Sequence, residues 1–325
     1  MFVEKQRRWR VSEGFAVMMT AEHIERTLFN RFSPSSNAYL LLDMQTPHPL
    51  AELLASCAPD RKTHLIHPDF EAQPDKAPLL VQLKDRNDFL LEPSIDLAIN
   101  QATTLDCTVR QVAGWLFSDL TLPDFARRLG ARLTVRHRQG QSRWRLHDSR
   151  VIAHLPTLLQ PEQMYQLLWD VQDWYYLDEG AQLQQLEHPT LAQPPTLKAI
   201  CMSVNQHQLE SLRCIETVNV AIRLLKAMGL NHSSDWIAQL HTQVVHAKAH
   251  GLTEPTDQMV YAVHGVCIHP SFDHHPLIGQ AIYRARTRSA SFCVAMSSID
   301  QPTLAAIADE LTRNDGAFQQ GVIHE

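Results

Sequence analysis

The sequence predicts an α/β (α+β) N-terminal lobe with a mixed sheet, followed by a mainly α-helical C-terminal lobe. Its 325 residues exceed the ~100–200 residues of a typical single domain. Short apolar runs alternate with helical patterns in the first half, whereas long helical patterns fill the second. The proline-rich stretch EHPTLAQPP disfavours regular helix. We therefore predict an α/β lobe over residues 1–186, a linker over 187–196 and a helical lobe over 197–325.

The N-terminal lobe begins with a predicted helix that follows Thr20, a candidate N-cap. Residues 38–44 (AYLLLDM) form an apolar run bounded by turn residues, as is typical of a buried strand, with Asp43 near its C-terminal end. Residues 50–57 predict a short helix, and residues 78–83 (PLLVQL) predict a second buried strand. Strands and helices that alternate in this way favour an α/β lobe.

A helix over residues 122–129, with Gly130 as its stop, precedes a predicted β-hairpin. The hairpin comprises residues 133–137 and 142–147 around Gly140, which can adopt the positive φ of a short loop. Four arginines occur along it: Arg136, Arg138, Arg143 and Arg145. Such arginines more often form the solvated face of an antiparallel pair than a binding site. Their charge alone therefore does not indicate a binding site.

Helical spacing of apolar residues continues through the rest of the chain. Residues 149–159 and 161–174 predict two helices, the second with Trp174 on its apolar face. The helices predicted for the C-terminal lobe cover residues 207–228, 234–250, 256–266, 276–286 and 302–313. This pattern has no fixed-period repeat, so a solenoid is not indicated.

Composition and charge narrow the classes of function. With 44% hydrophobic and 20% charged residues the chain can bury a core, and its net charge of −6 gives no reason to expect nucleic acid as a partner. No secretion signal and no run of ~20 apolar residues is found, which predicts a cytoplasmic protein without membrane insertion. The 6 cysteines include no CxxC pair, so buried thiols are expected rather than disulfides. Phosphate-loop and GxSxG motifs are absent, and we expect no cofactor and no enzymatic activity.

One cluster, HGVCIHPSFDHHP, contains residue types that zinc prefers as ligands. The candidates are His264, Cys267, His269 and His274, with His275 beside them. Their spacing matches no usual structural zinc pattern, and a chain with 18 histidines contains such clusters by chance. We favour the absence of metal, and a metal-dependent hydrolase that uses the segment from His264 to His275 remains the enzymatic alternative.

The segment RWRLHDSRV, residues 143–151, carries the strongest functional signal. With the strands AYLLLD and APLLVQL before it and Trp174 after it, it resembles the adaptor, or effector-chaperone, family of bacterial type VI secretion. That family has an Arg-aromatic-Asp-Pro-Arg motif between a strand and a helical pair; here Arg145, His147, Asp148 and Arg150 take motif positions, and Ser149 replaces the proline. The resemblance covers about residues 35–186.

The resemblance implies a non-enzymatic adaptor that binds the N-terminal segment of a type VI secretion effector and promotes its loading onto the VgrG spike protein. We hypothesise that the first lobe contacts the spike and that the variable helical lobe, residues 197–325, determines cargo specificity. The candidate partner-binding or motif residues are Asp43, Arg136, Arg143, Arg145, Asp148, Arg150 and Trp174. An immunity-type protein that neutralises a toxin without delivering it is a further alternative.

The residues themselves also support a structural role for the motif. Asp148 near a helix start is well placed to accept hydrogen bonds from free backbone amides, and Arg145 and Arg150 can pair with it. We therefore favour a charge-assisted network that ties strand to helix over direct contact with a partner.

Overall fold

The structure, a computed structural model, describes residues 21–104, 107–192, 201–230, 233 and 235–321, with the side chains described up to residue 314. Its internal contacts divide the chain into two compact units, unit 1 up to Leu209 and unit 2 from Glu210. The predicted N-cap Thr20 and part of the predicted linker over 187–196 lie outside the described residues. The predicted lobe boundaries therefore stay predictions.

Unit 1 contains a six-stranded sheet in the order β2-β3-β1-β4-β7-β8. Its strands are β1 (Asn37–Leu42), β2 (Lys62–His64), β3 (Leu79–Leu83), β4 (Val112–Ser118), β7 (Asp173–Leu177) and β8 (Leu183–Gln185). All neighbouring strands pair antiparallel. The predicted strands at 38–44 and 78–83 are thus confirmed as two adjacent members of this sheet.

Helices cover both faces of the central strands, which explains the continuous apolar runs in the sequence. Residues 21–29 (α1) and α3 (Leu91–Thr103) pack on one face, where Leu40 of β1 joins the main core cluster. The other face meets α4 (Leu122–Arg132), whose Phe125 ring lies 5.0 Å from that of Tyr39. A strand that is buried on both faces has no polar alternation, as the sequence of β1 shows.

Two glycines allow close approaches of backbone in unit 1. A Cβ atom on Gly114 of β4, whose φ is +153°, would lie 2.2 Å from the Tyr175 carbonyl oxygen. A Cβ atom on Gly130 would lie 2.8 Å from the carbonyl oxygen of Ile66. The prediction that Gly130 stops the helix is wrong, because α4 runs through it to Arg132 and the glycine serves this close packing instead.

The predicted hairpin is confirmed as β5 (Thr134–His137) and β6 (Gly140–Arg143). It belongs to a second, three-stranded sheet in the order β6-β5-β9, in which β9 (Met202–Ser203) runs parallel to β5. The second strand ends at Arg143 and not at His147 as predicted, since the chain turns away toward the helix that follows. Arg145 therefore lies in a loop.

The predicted helix over 161–174 is wrong in its second half. α7 (Pro161–Leu168) ends where the chain turns, and Trp174 lies on β7, paired with Leu116 of β4. The apolar spacing up to Trp174 fits a helix. The segment DWYYL nevertheless forms a strand, because its backbone can pair with the edge of β4. The predicted helix over 149–159 is divided into α5 (Ser149–Ile152) and α6 (Leu155–Leu158).

The remainder of the chain is mainly helical, which confirms the predicted fold class. Its helices are α8 (Gln206–Ala227), α9 (Trp236–Ala249), α10 (Pro255–Cys267), α11 (Pro276–Arg286), α12 (Phe292–Ser297) and α13 (Gln301–Gly321). The short helix predicted at 50–57 is α2 (Ala51–Ser56) of unit 1. Two of the described helices, α12 here and α3 in unit 1, had no counterpart among the predicted helices. Two apolar clusters hold unit 2, one around Val218 and Val244 and one around Tyr261 and Phe292. Across the described part of the chain, no helix combines the length and apolar character that a membrane span requires.

Candidate functional site: an ionic network at the start of α5

The motif segment connects the hairpin to α5. Trp144 continues the hairpin ladder, because its backbone N–H donates to the Leu133 carbonyl oxygen at 3.0 Å, and its side chain is buried. The chain then turns, and Asp148 becomes the N-cap of α5: its Oδ1 accepts from the backbone N–H of Arg150 at 3.1 Å. The sequence predicted this capping role, since a carboxylate satisfies amides that a helix start leaves free.

Asp148 is also the centre of an ionic cluster. The Arg150 guanidinium donates to both of its carboxylate oxygens, at 3.0 and 2.8 Å, and an Arg145 nitrogen lies 2.9 Å from Oδ2. The Asp148 and Arg150 side chains are buried, whereas Arg145 is 42% exposed. Burial alone would raise the pKa of Asp148, but the hydrogen bonds and positive charges of Arg150 and Arg145 outweigh it and lower the pKa. Asp148 is therefore held as a carboxylate.

Asp43, which follows β1, joins the same cluster from a distant part of the chain. Its Oδ2 lies 3.7 Å from Arg145 and 4.0 Å from His147, and its Oδ1 accepts from the Gln45 backbone N–H at 2.9 Å. Burial raises the pKa of Asp43, with the Gln45 amide and Arg145 acting in the opposite direction. The motif loop is thereby attached to the end of a central strand.

His147 fills the space behind this cluster and is fully buried. Its Nε2 lies 3.0 Å from Nε2 of Gln45, and its ring meets the Phe70 ring edge-to-face at 6.4 Å. Burial, and then the nearby Arg145 charge, lower the pKa of His147 to about 3, so the imidazole is neutral near pH 7. A neutral His147 can accept the Gln45 amide hydrogen at Nε2.

Arg143 stands at the edge of the cluster. Its guanidinium lies 4.5 Å from the centroid of the Phe70 ring and 3.6 Å from Oδ2 of Asp69. This arrangement fastens the loop that follows β2 to the hairpin, through a cation–π contact and a partly exposed ion pair.

The structure thus brings four of the candidate residues together, namely Asp43, Arg145, Asp148 and Arg150. Arg143 lies beside them, Arg136 is exposed on the hairpin, and Trp174 is fully buried in the large sheet. The partners that the sequence did not single out are Gln45, Asp69 and Phe70. Each of them belongs to a loop that reaches the motif only in the folded chain, so no local pattern could have identified it.

The arrangement is suited to holding a loop in place. The carboxylates of Asp43 and Asp148 are buried and face guanidinium groups, and Arg145 is the charged side chain of the cluster most open to solvent. Charge-assisted hydrogen bonds of this kind define geometry as well as adding energy. The network therefore positions the segment between the hairpin and α5, and it leaves Arg145 as the group that a partner could reach.

A comparison with protein families finds a match to the part of the chain that contains this network. Residues 38–166 match a family model, described as a domain of unknown function, DUF4123. The match begins at β1 and includes the whole ionic network, and it is consistent with the type VI secretion adaptor role that the motif implies. It covers less than half of the 325 residues. None of the curated proteins and none of the solved structures matches the chain.

The histidine-rich segment has a different geometry. Over the described ranges, no group of three or more His, Cys, Asp or Glu side chains is placed to hold a metal ion. His264 Nδ1 lies 2.7 Å from the Val260 carbonyl oxygen of its own helix, and its ring stacks on Phe272. His269 and His275 each accept from a backbone N–H two residues further along the chain. These contacts are those of helix ends and turns.

Proposed function

We propose that this chain is a non-enzymatic adaptor that binds the N-terminal segment of a type VI secretion effector in the cytoplasm and promotes its loading onto the VgrG spike. The observation that carries the proposal is the family match over residues 38–166, which contains the motif network as one assembled unit. An adaptor of this kind needs two separate binding surfaces. Each unit of the chain offers one.

In unit 1 the surface is the outer edge of β6, the terminal strand of the small sheet, which pairs with no further strand in the described part of the chain. In an antiparallel ladder, hydrogen-bonded and non-hydrogen-bonded residue pairs alternate. The Trp144 N–H donates to the Leu133 carbonyl oxygen, so the next pair along the hairpin, Thr134 and Arg143, is a non-hydrogen-bonded pair. By that alternation the backbone groups of Gln141 and Arg143 point away from β5. An extended segment of a partner could add to this edge as a further strand.

The residues around that edge would favour an acidic and partly apolar partner. Arg136 and Arg138 are exposed, and no carboxylate in the described part of the chain lies within 4.0 Å of their guanidinium groups. Ile66, whose side chain is 83% exposed, belongs to the loop that packs beside the hairpin through His67 and Thr134. Uncompensated charge steers association, and an exposed apolar side chain can anchor it. We assign this surface to the spike contact.

In unit 2 the surface is a cavity of about 300 Å³ between α11, α12 and the start of α13. Leu277, Ala295 and Ile299 supply apolar lining, and Arg284 and Asp300 add one charge of each sign. Around these helices the side chains of Tyr283 and Val294 are 65% and 60% exposed. Neither side chain lines the cavity, but both lie on helices that form it. Exposed apolar side chains on such helices are typical of a protein-binding surface, and we assign this one to the effector segment.

Substitutions that introduce negative charge into the full chain test this division. We expect the pair Arg136→Glu and Arg138→Glu to abolish capture of VgrG while effector capture persists, and the pair Tyr283→Glu and Val294→Asp to have the opposite effect. The readout is a pull-down of the purified partners, with thermal melting to show that each variant is folded.

Control variants change other exposed residues elsewhere in each unit. Arg127→Glu in α4 and Val245→Asp in α9 alter an exposed cation and an exposed apolar residue, and both should leave binding unchanged. If the wild-type chain captures neither partner, the adaptor function is wrong. If the two pairs of substitutions exchange their effects, only the assignment of the surfaces is wrong.

A genetic test separates an adaptor from an immunity protein. Deletion of the gene should abolish delivery of the effector into neighbouring cells and leave the producing cells viable. Death of the producing cells on deletion would favour a toxin-neutralising protein instead.

A further inference from the structure

Two reactive side chains of unit 2 are in direct contact. Lys248 on α9 points its Nζ at the Cys214 sulfur on α8 and donates to it at 2.8 Å. The Cys214 thiol in turn lies 3.0 Å from the Glu210 carbonyl oxygen, to which it can donate. Cys214 is only 4% exposed, while Lys248 is exposed, so the nitrogen reaches a buried sulfur from the surface.

No other cysteine has this environment within the described residues. Cys107 and Cys201 donate to backbone carbonyl oxygens, and no lysine contact is found for Cys57, Cys267 or Cys293. The Cys214 contact is therefore specific to one pair of helices. A buried thiol beside an amine differs chemically from a thiol beside a carbonyl, because an amine is a nucleophile that can attack oxidised sulfur.

We propose that Cys214 and Lys248 form a reversible covalent cross-link, a sulfur–nitrogen bond, when the protein meets hydrogen peroxide. In the first step the Cys214 thiol reduces one peroxide molecule, giving a sulfenic acid and water. In the second step the Lys248 ammonium releases a proton to solvent and its nitrogen attacks the sulfur. The S–N bond forms, the S–O bond breaks, and a second water leaves.

The packing of the two helices makes the second step intramolecular. Val218 and Ile222 of α8 share one apolar cluster with Leu240 and Val244 of α9. The cluster holds sulfur and nitrogen at contact distance before oxidation, and such proximity replaces a bimolecular encounter. Because the Lys248 nitrogen already lies 2.8 Å from the sulfur, its attack on the sulfenic acid competes with further oxidation by a second peroxide molecule.

The cross-link would join α8 to α9 without any change of fold. A small thiol could reverse it by attacking the sulfur, which forms a mixed disulfide and returns the Lys248 amine, and a second thiol would then restore Cys214. The chemistry requires no partner protein, so it stands or falls independently of the adaptor function.

Mass spectrometry of the full chain tests the proposal directly. The reduced protein is treated with hydrogen peroxide, quenched and digested, and peptides are analysed before and after addition of a thiol reductant. We expect a linked pair of peptides containing Cys214 and Lys248, two hydrogens lighter than their sum, which reverts to the separate peptides on reduction.

Substitutions provide the controls. Lys248→Met removes the nitrogen, and we expect it to abolish the linked pair and to raise sulfinic acid at Cys214 about ten-fold, because the intramolecular trap is lost. Cys293→Ser should leave the linked pair intact, and thermal melting should show that both variants are folded. Equal oxidation of Cys214 in the wild type and in Lys248→Met, with no linked pair, would overturn the proposal.

Discussion

The two units differ in how they use buried charge. Among its described residues, unit 1 contains four arginine–carboxylate pairs in which both side chains are at most 10% exposed: Arg61–Asp88, Arg110–Glu179, Arg132–Asp170 and Arg150–Asp148. In the described part of unit 2, each ion pair has at least one side chain that is more than a third exposed, as in Arg223–Glu216. Unit 2 instead relies on apolar clusters and on side-chain caps such as Ser291 and Asp300.

This difference follows from the way each unit connects its elements. Unit 1 must fasten loops to a sheet whose strands come from distant parts of the chain, and Asp43 and Arg145 are an example of such a contact. Guanidinium–carboxylate pairs bridge such loops with defined geometry. Helices close their own backbone hydrogen bonds, so unit 2 needs only apolar packing and caps. Single charge changes and acid should therefore affect unit 1 far more than unit 2.

The largest effect is expected when Asp148, the centre of the ionic network of unit 1, is removed. Asp148→Ala deletes the N-cap of α5 and removes the buried carboxylate that accepts two hydrogen bonds from the Arg150 guanidinium. We expect the free energy of unfolding of unit 1 to fall by about 3–5 kcal/mol, as when one partner of a buried pair is removed. Urea denaturation followed by tryptophan fluorescence measures this change.

Two further substitutions show which property of Asp148 matters. Asp148→Asn keeps an oxygen that can cap α5 but removes the charge, so its effect should lie between those of wild type and alanine. Asp124→Ala removes exposed contacts to Arg127 and Thr121 and should lower stability far less than Asp148→Ala. A small effect of Asp148→Ala would mean that the network does not support the fold.

Acid tests the same unit through His147. Unfolding returns its pKa from about 3 to the ordinary value near 6.5. Between these values the unfolded chain binds a proton that the folded chain does not, so this histidine's contribution lowers stability as pH falls from 6.5 to 3. The expected slope is about 1.4 kcal/mol per pH unit.

We expect His147→Gln to remove this slope, because glutamine does not titrate while its oxygen can still accept the Gln45 amide. The free energy of unfolding is measured between pH 7 and pH 4, where about 1.4 kcal/mol per unit separates the two curves. His23→Gln is the matched control, since His23 is exposed. Parallel curves for wild type and His147→Gln would show that folding does not lower the pKa of His147.

The sequence predicted those features that depend on neighbouring residues. The apolar runs of β1 and β3, the hairpin around Gly140 and the helix at 276–286 were all identified from local patterns, and Asp148 was recognised as a cap. The features that failed depend on distant partners. Trp174 continued a helical spacing, yet it lies on a strand because β4 is available to pair with it.

The candidate site shows the same division. Asp43, Arg145, Asp148 and Arg150 were selected from the motif and the end of a strand, and the fold places them in one cluster. Gln45 and Phe70 complete it from loops that carry no motif of their own. Side chains that matter because they contact a motif can be found only once the tertiary structure brings them to it.

The smallest effect is expected when a helix cap of unit 2 is removed. Ser291 is the N-cap of α12, where its Oγ accepts from the Val294 backbone N–H at 3.2 Å. Ser291→Ala should cost about 1 kcal/mol, because water can replace part of an exposed cap. The neighbouring Ser297→Ala is the control, since its exposed hydroxyl donates to a carbonyl of its own helix. Hydrogen exchange of the amides of α12 measures both. A loss as large as that of Asp148→Ala would show that unit 2 also depends on single polar contacts, and the two units would then differ in composition but not in the way they are held together.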